Sequence, residues 1–141
     1  QFISGDDVYL TERSLKALKP EILMDAAIQK RLLDIFKQAG FLQKRLILSR
    51  LKDAPEIAPQ TCRQLSENLE TMSGILVKST IELFQSHKIE SVSVVENVAN
   101  LLKNENRYIA GQAAQYLGQL DNPNKSTTRK LNKYKKKNRF N

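Results

Sequence analysis

The sequence holds one cysteine, one histidine and no tryptophan among its 141 residues. Cys62 has no partner for an internal disulfide, and one thiol with one imidazole falls short of the four ligands of a structural zinc site. Glycine is also sparse. The five are scattered at Gly5, Gly40, Gly74, Gly111 and Gly118, which excludes a phosphate-cradling glycine-rich loop and a dinucleotide fingerprint. No apolar run approaches the roughly 18–20 residues that cross a bilayer, and the N-terminus lacks the basic-then-apolar order of a secretory signal. The lone cysteine fits a reducing compartment, so an intracellular protein without a membrane role is expected. The chain starts at Gln1 rather than Met, which reads as a processed chain or a fragment of a longer one.

Acid is missing from one end. The last 20 residues contain Lys125, Arg129, Lys130, Lys133, Lys135, Lys136, Lys137 and Arg139 and no Asp or Glu. These eight account for the whole formal net charge of +8, because the remaining 15 basic residues face 15 acids in residues 1–121. Residues 122–141 have only three large apolar side chains, Leu131, Tyr134 and Phe140, too few to bury a core of their own. A flexible basic tail is therefore expected there. Three readings of it compete: contact with RNA or DNA through counterion release at phosphates, a short basic nuclear-import signal, and a solubilising tail without a partner. An anionic membrane lacks a second anchoring element in this sequence.

What is present is a soluble composition, 40% hydrophobic and 27% charged, sufficient for one core. Apolar spacing predicts helices throughout and no convincing strand. A short turn begins near Thr11. A long helix over 20–40 follows, with Pro20 at N1, Glu21 in the first turn, an apolar stripe of Ile28, Leu32, Ile35, Phe36 and Ala39, and Gly40 as a left-handed cap. A second helix covers 41–51, with Lys44, Arg45, Arg50 and Lys52 turned to water. A third starts at Pro59 and places Cys62, Leu65, Leu69, Met72 and Leu76 on one seam, with Gly74 as a dividing point. Around Val92–Val95 a strand competes with a helix, and Ser93 with Glu96 as a capping box favours the helix. A last helix runs over 107–119, with Ile109, Ala113, Tyr116, Leu117 and Leu120 inside.

Catalytic constellations do not assemble. His87 has Ser86 beside it and Glu90 three residues on, but no orienting partner plus nucleophile, and reads as an exposed histidine at a helix end. Cys62 lies on an apolar seam and reads as a small buried hydrophobe. Asp6 and Asp7 belong to the chain end, and Glu67 and Glu70 to a solvated helix face. No metal or cofactor is expected. Lys30, Lys37 and Lys44 with Arg45, Arg50 and Lys52 are weighed as a basic patch and as an ordinary solvated face, the latter preferred.

Residues 101–120, LLKNENRYIAGQAAQYLGQL, resemble one repeat of the HEAT and armadillo class of helical repeats. The likeness is carried by Leu101 and Leu102, a polar turn at 104–106, Ile109, Ala113 and Ala114, and Leu117 with Gly118. The turn has Asn where the family often has Asp, and Ala110 stands where the family often has Arg. The resemblance covers about residues 91–120 and implies stacked helices that present a binding face.

The fold expected is all-α, either a helical bundle or a short HEAT-like stack over 1–121, followed by a disordered basic tail over 122–141. The function expected is a non-enzymatic scaffold or adaptor that binds a protein partner. Tyr108, Gln112 and Tyr116 are its candidate contacts, and the eight basic tail residues serve nuclear targeting or nucleic-acid contact. The rival reading is an RNA- or DNA-binding module using the tail and a basic helix face. Oligomeric state is not read from the sequence.

Overall fold

A computed structural model describes residues 8–138, with side chains from residue 13 onward. Nine α-helices and two short 3-10 turns make up the secondary structure of the described residues, which include no strand. The all-α expectation therefore holds. The chain divides into two compact units, Gln1–Leu65 and Ser66–Asn141, a boundary that the sequence reading did not draw.

The first unit comprises α1 (Val8–Ala17), α2 (Pro20–Leu23), α3 (Ala26–Gln38), α4 (Phe41–Asp53) and most of α5 (Pro59–Glu67). The single helix expected over 20–40 is two helices. Asp25 adopts an extended backbone and its carboxylate accepts from the amides of Ala27 (2.8 Å) and Ile28 (3.3 Å). That N-cap restarts the chain as α3. Gly40 is not left-handed either: at φ −76° and ψ 178° it is extended and precedes α4 as its N-cap. The inner face of α3 is Gln29, Leu32, Leu33 and Phe36, with Ile28 and Ile35 half-buried.

Two polar side chains tie this unit together. Gln29 is fully buried, and its amide nitrogen donates to the carbonyls of Leu23 (2.8 Å) and Glu56 (3.0 Å). Its amide oxygen accepts from the amide of Ala58 and the hydroxyl of Thr61, both at 2.9 Å. One side chain thus satisfies groups from α2, the 54–58 connection and α5. Arg50, expected to face water, instead closes the end of α1: Nε donates to the Leu15 carbonyl at 3.0 Å, Nη2 to the Leu18 carbonyl, and Nη1 to Asp53 at 3.0 Å. A guanidinium at a helix C-terminus satisfies orphan carbonyls and complements the helix dipole.

The second unit contains α6 (Gly74–Ser86), α7 (Val92–Asn100), α8 (Arg107–Gly118) and α9 (Lys125–Asn138). The expected seam is buried at all five positions, Cys62, Leu65, Leu69, Met72 and Leu76. It does not lie on one helix, however, because α5 stops at Glu67 and a 3-10 turn over Leu69–Thr71 intervenes. Helix wins over strand at α7, where Ser91 rather than Ser93 is the N-cap and makes no side-chain cap bond. The α6 end is a Schellman turn: Ile89 N donates to Phe84 O (2.8 Å) and Lys88 N to Gln85 O (3.1 Å), with Lys88 left-handed at φ 52°.

α6 and α8 lie side by side and run the same way. At their starts, a Cβ built on Gly74 would meet the Tyr108 ring at 3.1 Å, and at their ends Gln85 donates to Gln119 at 3.0 Å. The polar turn before α8 works as a cap: Asn106 accepts from the amides of Tyr108 (2.9 Å) and Ile109 (3.4 Å), while Asn104 accepts from Asn106 N at 2.8 Å.

Residues 125–138, expected to be part of a flexible tail, form α9 in the structure. Asn124 accepts from Thr127 N at 2.7 Å and starts the helix. Thr127 and Leu131 are buried and Tyr134 and Asn138 half-buried. These four positions are spaced four, three and four apart, so they form one stripe, which packs against α7 and α8. Arg139 and Phe140 lie outside the described residues.

Candidate functional site

Two surfaces of the second unit gather the candidate residues. The first is the outward side of α8. Tyr108 is 47% exposed, its backbone fixed by the Asn106 cap and its ring set against Gly74. Gln112, one turn on, is half-exposed, and Gln115 and Gln119 are exposed. Spacings of four, three and four put Tyr108, Gln112, Gln115 and Gln119 on one stripe, about 16 Å long at 1.5 Å per residue. Ile75, at the start of α6, is 51% exposed and adds an aliphatic group at the Tyr108 end. Gly111 has nothing within 4 Å of where a Cβ would stand, so bare backbone is accessible beside the stripe.

Tyr116, expected both among the inner positions of its helix and among the candidate contacts, is a core residue. It is 3% exposed, its hydroxyl donates to the Ile89 carbonyl, and its ring meets Phe84 edge-on at 6.4 Å. The position falls on the same inner face as Ala113 and Leu117, whereas Tyr108 does not. Gln115, Gln119 and Ile75 were not singled out from the sequence, although the helical spacing from Tyr108 was readable there.

The second surface is the outer side of α9. Lys125, Arg129, Lys130, Lys133, Lys135, Lys136 and Lys137 are all exposed, and the helix contains no acid. With Leu131 turned inward, Lys125, Arg129, Lys133 and Lys136 fall on the opposite side at 100° per residue. The helix therefore sorts a basic sequence into a packed stripe and a cationic stripe.

Elsewhere the weighed sites disperse. Lys44 lies over the Phe36 ring at 5.3 Å and Arg45 over Phe41 at 5.8 Å, and Arg50 caps α1, so three of the six weighed cations are engaged within their own unit. Cys62 is buried, and desolvation pushes its thiol from 9.0 to about 11, leaving little nucleophilic thiolate at neutral pH. His87 is the C-cap of α6 and half-exposed, as a helix-ending residue should be. Glu67 and Glu70 are exposed. Among the described residues no group of three or more His, Cys, Asp or Glu is placed to hold a metal ion, and no helix is long and apolar enough to cross a membrane.

Two depressions occur within the units. One of about 520 Å³ lies between the starts of α3 and α5, lined by Ala26, Ala27, Lys30 and Pro59 among others. The other, about 210 Å³, lies at the ends of α6 and α8 and includes Lys88, Glu90 and Asp121. Glu90 already accepts from the Asp121 amide at 3.2 Å. Neither holds a nucleophile with a base.

Comparison with known proteins gives no match: no family model fits the sequence, and neither a curated protein nor a solved structure is significantly similar.

Proposed function

We propose that the chain is a non-enzymatic helical scaffold that receives a segment of a protein partner along the outward side of α6 and α8. The observation that carries this reading is Tyr108, a large aromatic left 47% exposed and yet positioned from two sides, by the Asn106 cap and by Gly74. A pre-positioned exposed aromatic loses little freedom on binding and is a common anchor of protein interfaces. Ile75 extends the apolar contact, and Gln112, Gln115 and Gln119 supply neutral donors and acceptors for a polypeptide backbone. The HEAT-type likeness of residues 101–120 adds support, since helical repeats use such faces for partner segments. On this reading the chain works inside the cell, and its basic C-terminal end directs the assembly to the nucleus or to nucleic acid.

The test is a photo-crosslinking residue at Gln115 in the full chain, compared with one at Lys30 on α3. The expected result is a protein adduct at Gln115 that is absent at Lys30 and falls at least fivefold with Tyr108→Ala while helicity is unchanged. Undiminished crosslinking in the Tyr108→Ala chain contradicts the reading.

A further inference from the structure

We infer that α9 is a folded docking helix for the phosphate backbone of a nucleic-acid duplex, binding without regard to base sequence. This deepens the nucleic-acid contact proposed for the basic C-terminal end and is independent of the protein-binding face. Its basis is where the fold puts charge. Leu131 and Thr127 are buried, which leaves Lys125, Arg129, Lys133 and Lys136 on the outermost line of the helix, flanked by Lys130 and Lys137. The four central cations are separated by about 6, 6 and 4.5 Å of helical rise. The 14 residues of α9 extend about 21 Å, the length over which one strand of a duplex offers about six phosphates.

Charge complementarity alone would also admit an anionic membrane or an acidic protein, and the composition of the outer face argues against both. A membrane-surface helix inserts an apolar face among the acyl chains, but the large aliphatic side chain of α9, Leu131, is already buried within its own unit. Protein interfaces deplete lysine from their centres and concentrate aromatic anchors there, whereas the outer face of α9 is dominated by lysine and has no aromatic. Tyr134, the aromatic of α9, is half-buried on the packed stripe. That placement leaves the outer face of α9 without an aromatic on which single-stranded bases could stack. A row of three lysines and one arginine without an aromatic matches phosphodiester backbone, which is common to duplex DNA and duplex RNA.

The experiment titrates the full chain with fluorescent 20-base-pair duplexes of DNA and RNA, each in two unrelated sequences, between 50 and 200 mM salt. Four phosphate contacts, at about 0.9 per phosphate on a logarithmic scale, predict an affinity loss of about 150-fold over that range. The two sequences should bind within about twofold of each other. Two variants separate location from net charge: Lys125→Gln, Arg129→Gln, Lys133→Gln and Lys136→Gln together, and Lys19→Gln, Lys30→Gln, Arg31→Gln and Lys37→Gln together. Both remove four positive charges from exposed positions, and glutamine keeps helix propensity. The α9 variant is expected to lose at least tenfold in duplex affinity at 100 mM salt and most of its salt dependence, and the first-unit variant to stay within about twofold. No duplex binding, equal losses from the two variants, tighter binding to single strands, or tighter binding to phosphatidylserine vesicles at equal anion concentration would each overturn the inference.

Discussion

α8 and α9 are neighbours in one unit and similar in length, 12 and 14 residues, yet they turn opposite chemistry outward. Beyond Arg107 in its first turn, α8 presents Tyr108 and a file of glutamines, while α9 presents seven cations without an acid. Both bury a stripe at helical spacing. The α8 stripe is rich, with Ile109, Ala110, Ala113, Tyr116 and Leu117 all buried; that of α9 rests on Thr127 and Leu131. The difference teaches that one scaffold can host two recognition surfaces of different physical origin, one depending on shape and the other on charge. It also predicts unequal anchoring of the helices that carry them.

The sharpest contrast is a pair of truncations. Leu117→Ala should cost about 3–4 kcal/mol of global stability, because Leu117 is fully buried on the inner face of α8. Leu131→Ala should cost about 2 kcal/mol at most and chiefly release α9, leaving the main thermal transition nearly unmoved. Chemical denaturation followed by circular dichroism distinguishes the two; equal losses of global stability would erase the difference in anchoring.

This inequality also explains what could be read in the sequence. α8 has five inner apolar positions in twelve, so its period stood out, as did the paired Leu101 and Leu102 before it. α9 has one aliphatic side chain among seven cations, and composition outweighed the 127, 131, 134 spacing that was equally present. Tyr116 was read both as an inner position and, with Tyr108, as a contact, because a tyrosine fits either side of a helix; what settles it is the Ile89 carbonyl waiting behind Tyr116. That carbonyl belongs to a Schellman turn set by Lys88, a non-glycine residue in a left-handed conformation that nothing in the sequence announced. The Arg50 clamp was missed for a related reason, since it depends on the Leu15 and Leu18 carbonyls, whereas the break at Asp25 had a readable N-cap side chain that the apolar stripe outweighed.

Tyr116→Phe tests the inner side of α8. Removing the hydroxyl leaves the Ile89 carbonyl without this donor and should cost about 1–2 kcal/mol, measured by urea denaturation, while leaving crosslinking at Gln115 intact. A smaller effect of opposite sign is expected on the outer side. Gly111→Ala should stabilise by about 0.5–1 kcal/mol, because nothing lies within 4 Å of the added methyl and alanine is the better helix former. If partner backbone approaches α8 there, the same substitution weakens capture; a stabilised chain with unchanged capture would place the partner away from Gly111. The smallest stability change is Gly74→Ala, near zero within about 1 kcal/mol. Its methyl would stand 3.1 Å from the Tyr108 ring and move it by a few tenths of an ångström, which tryptic or fluorescence titration of the captured partner should register as weaker binding.

The central claim is that α9 is a docked helix whose packing sorts its cations to one side. Amide hydrogen exchange on the full chain tests it directly: positions 129–135 should exchange on the order of a hundredfold more slowly than an unstructured peptide of the same sequence, and Leu131→Ala should abolish that protection. Exchange at the unstructured rate across these positions in the unmodified chain would contradict the account.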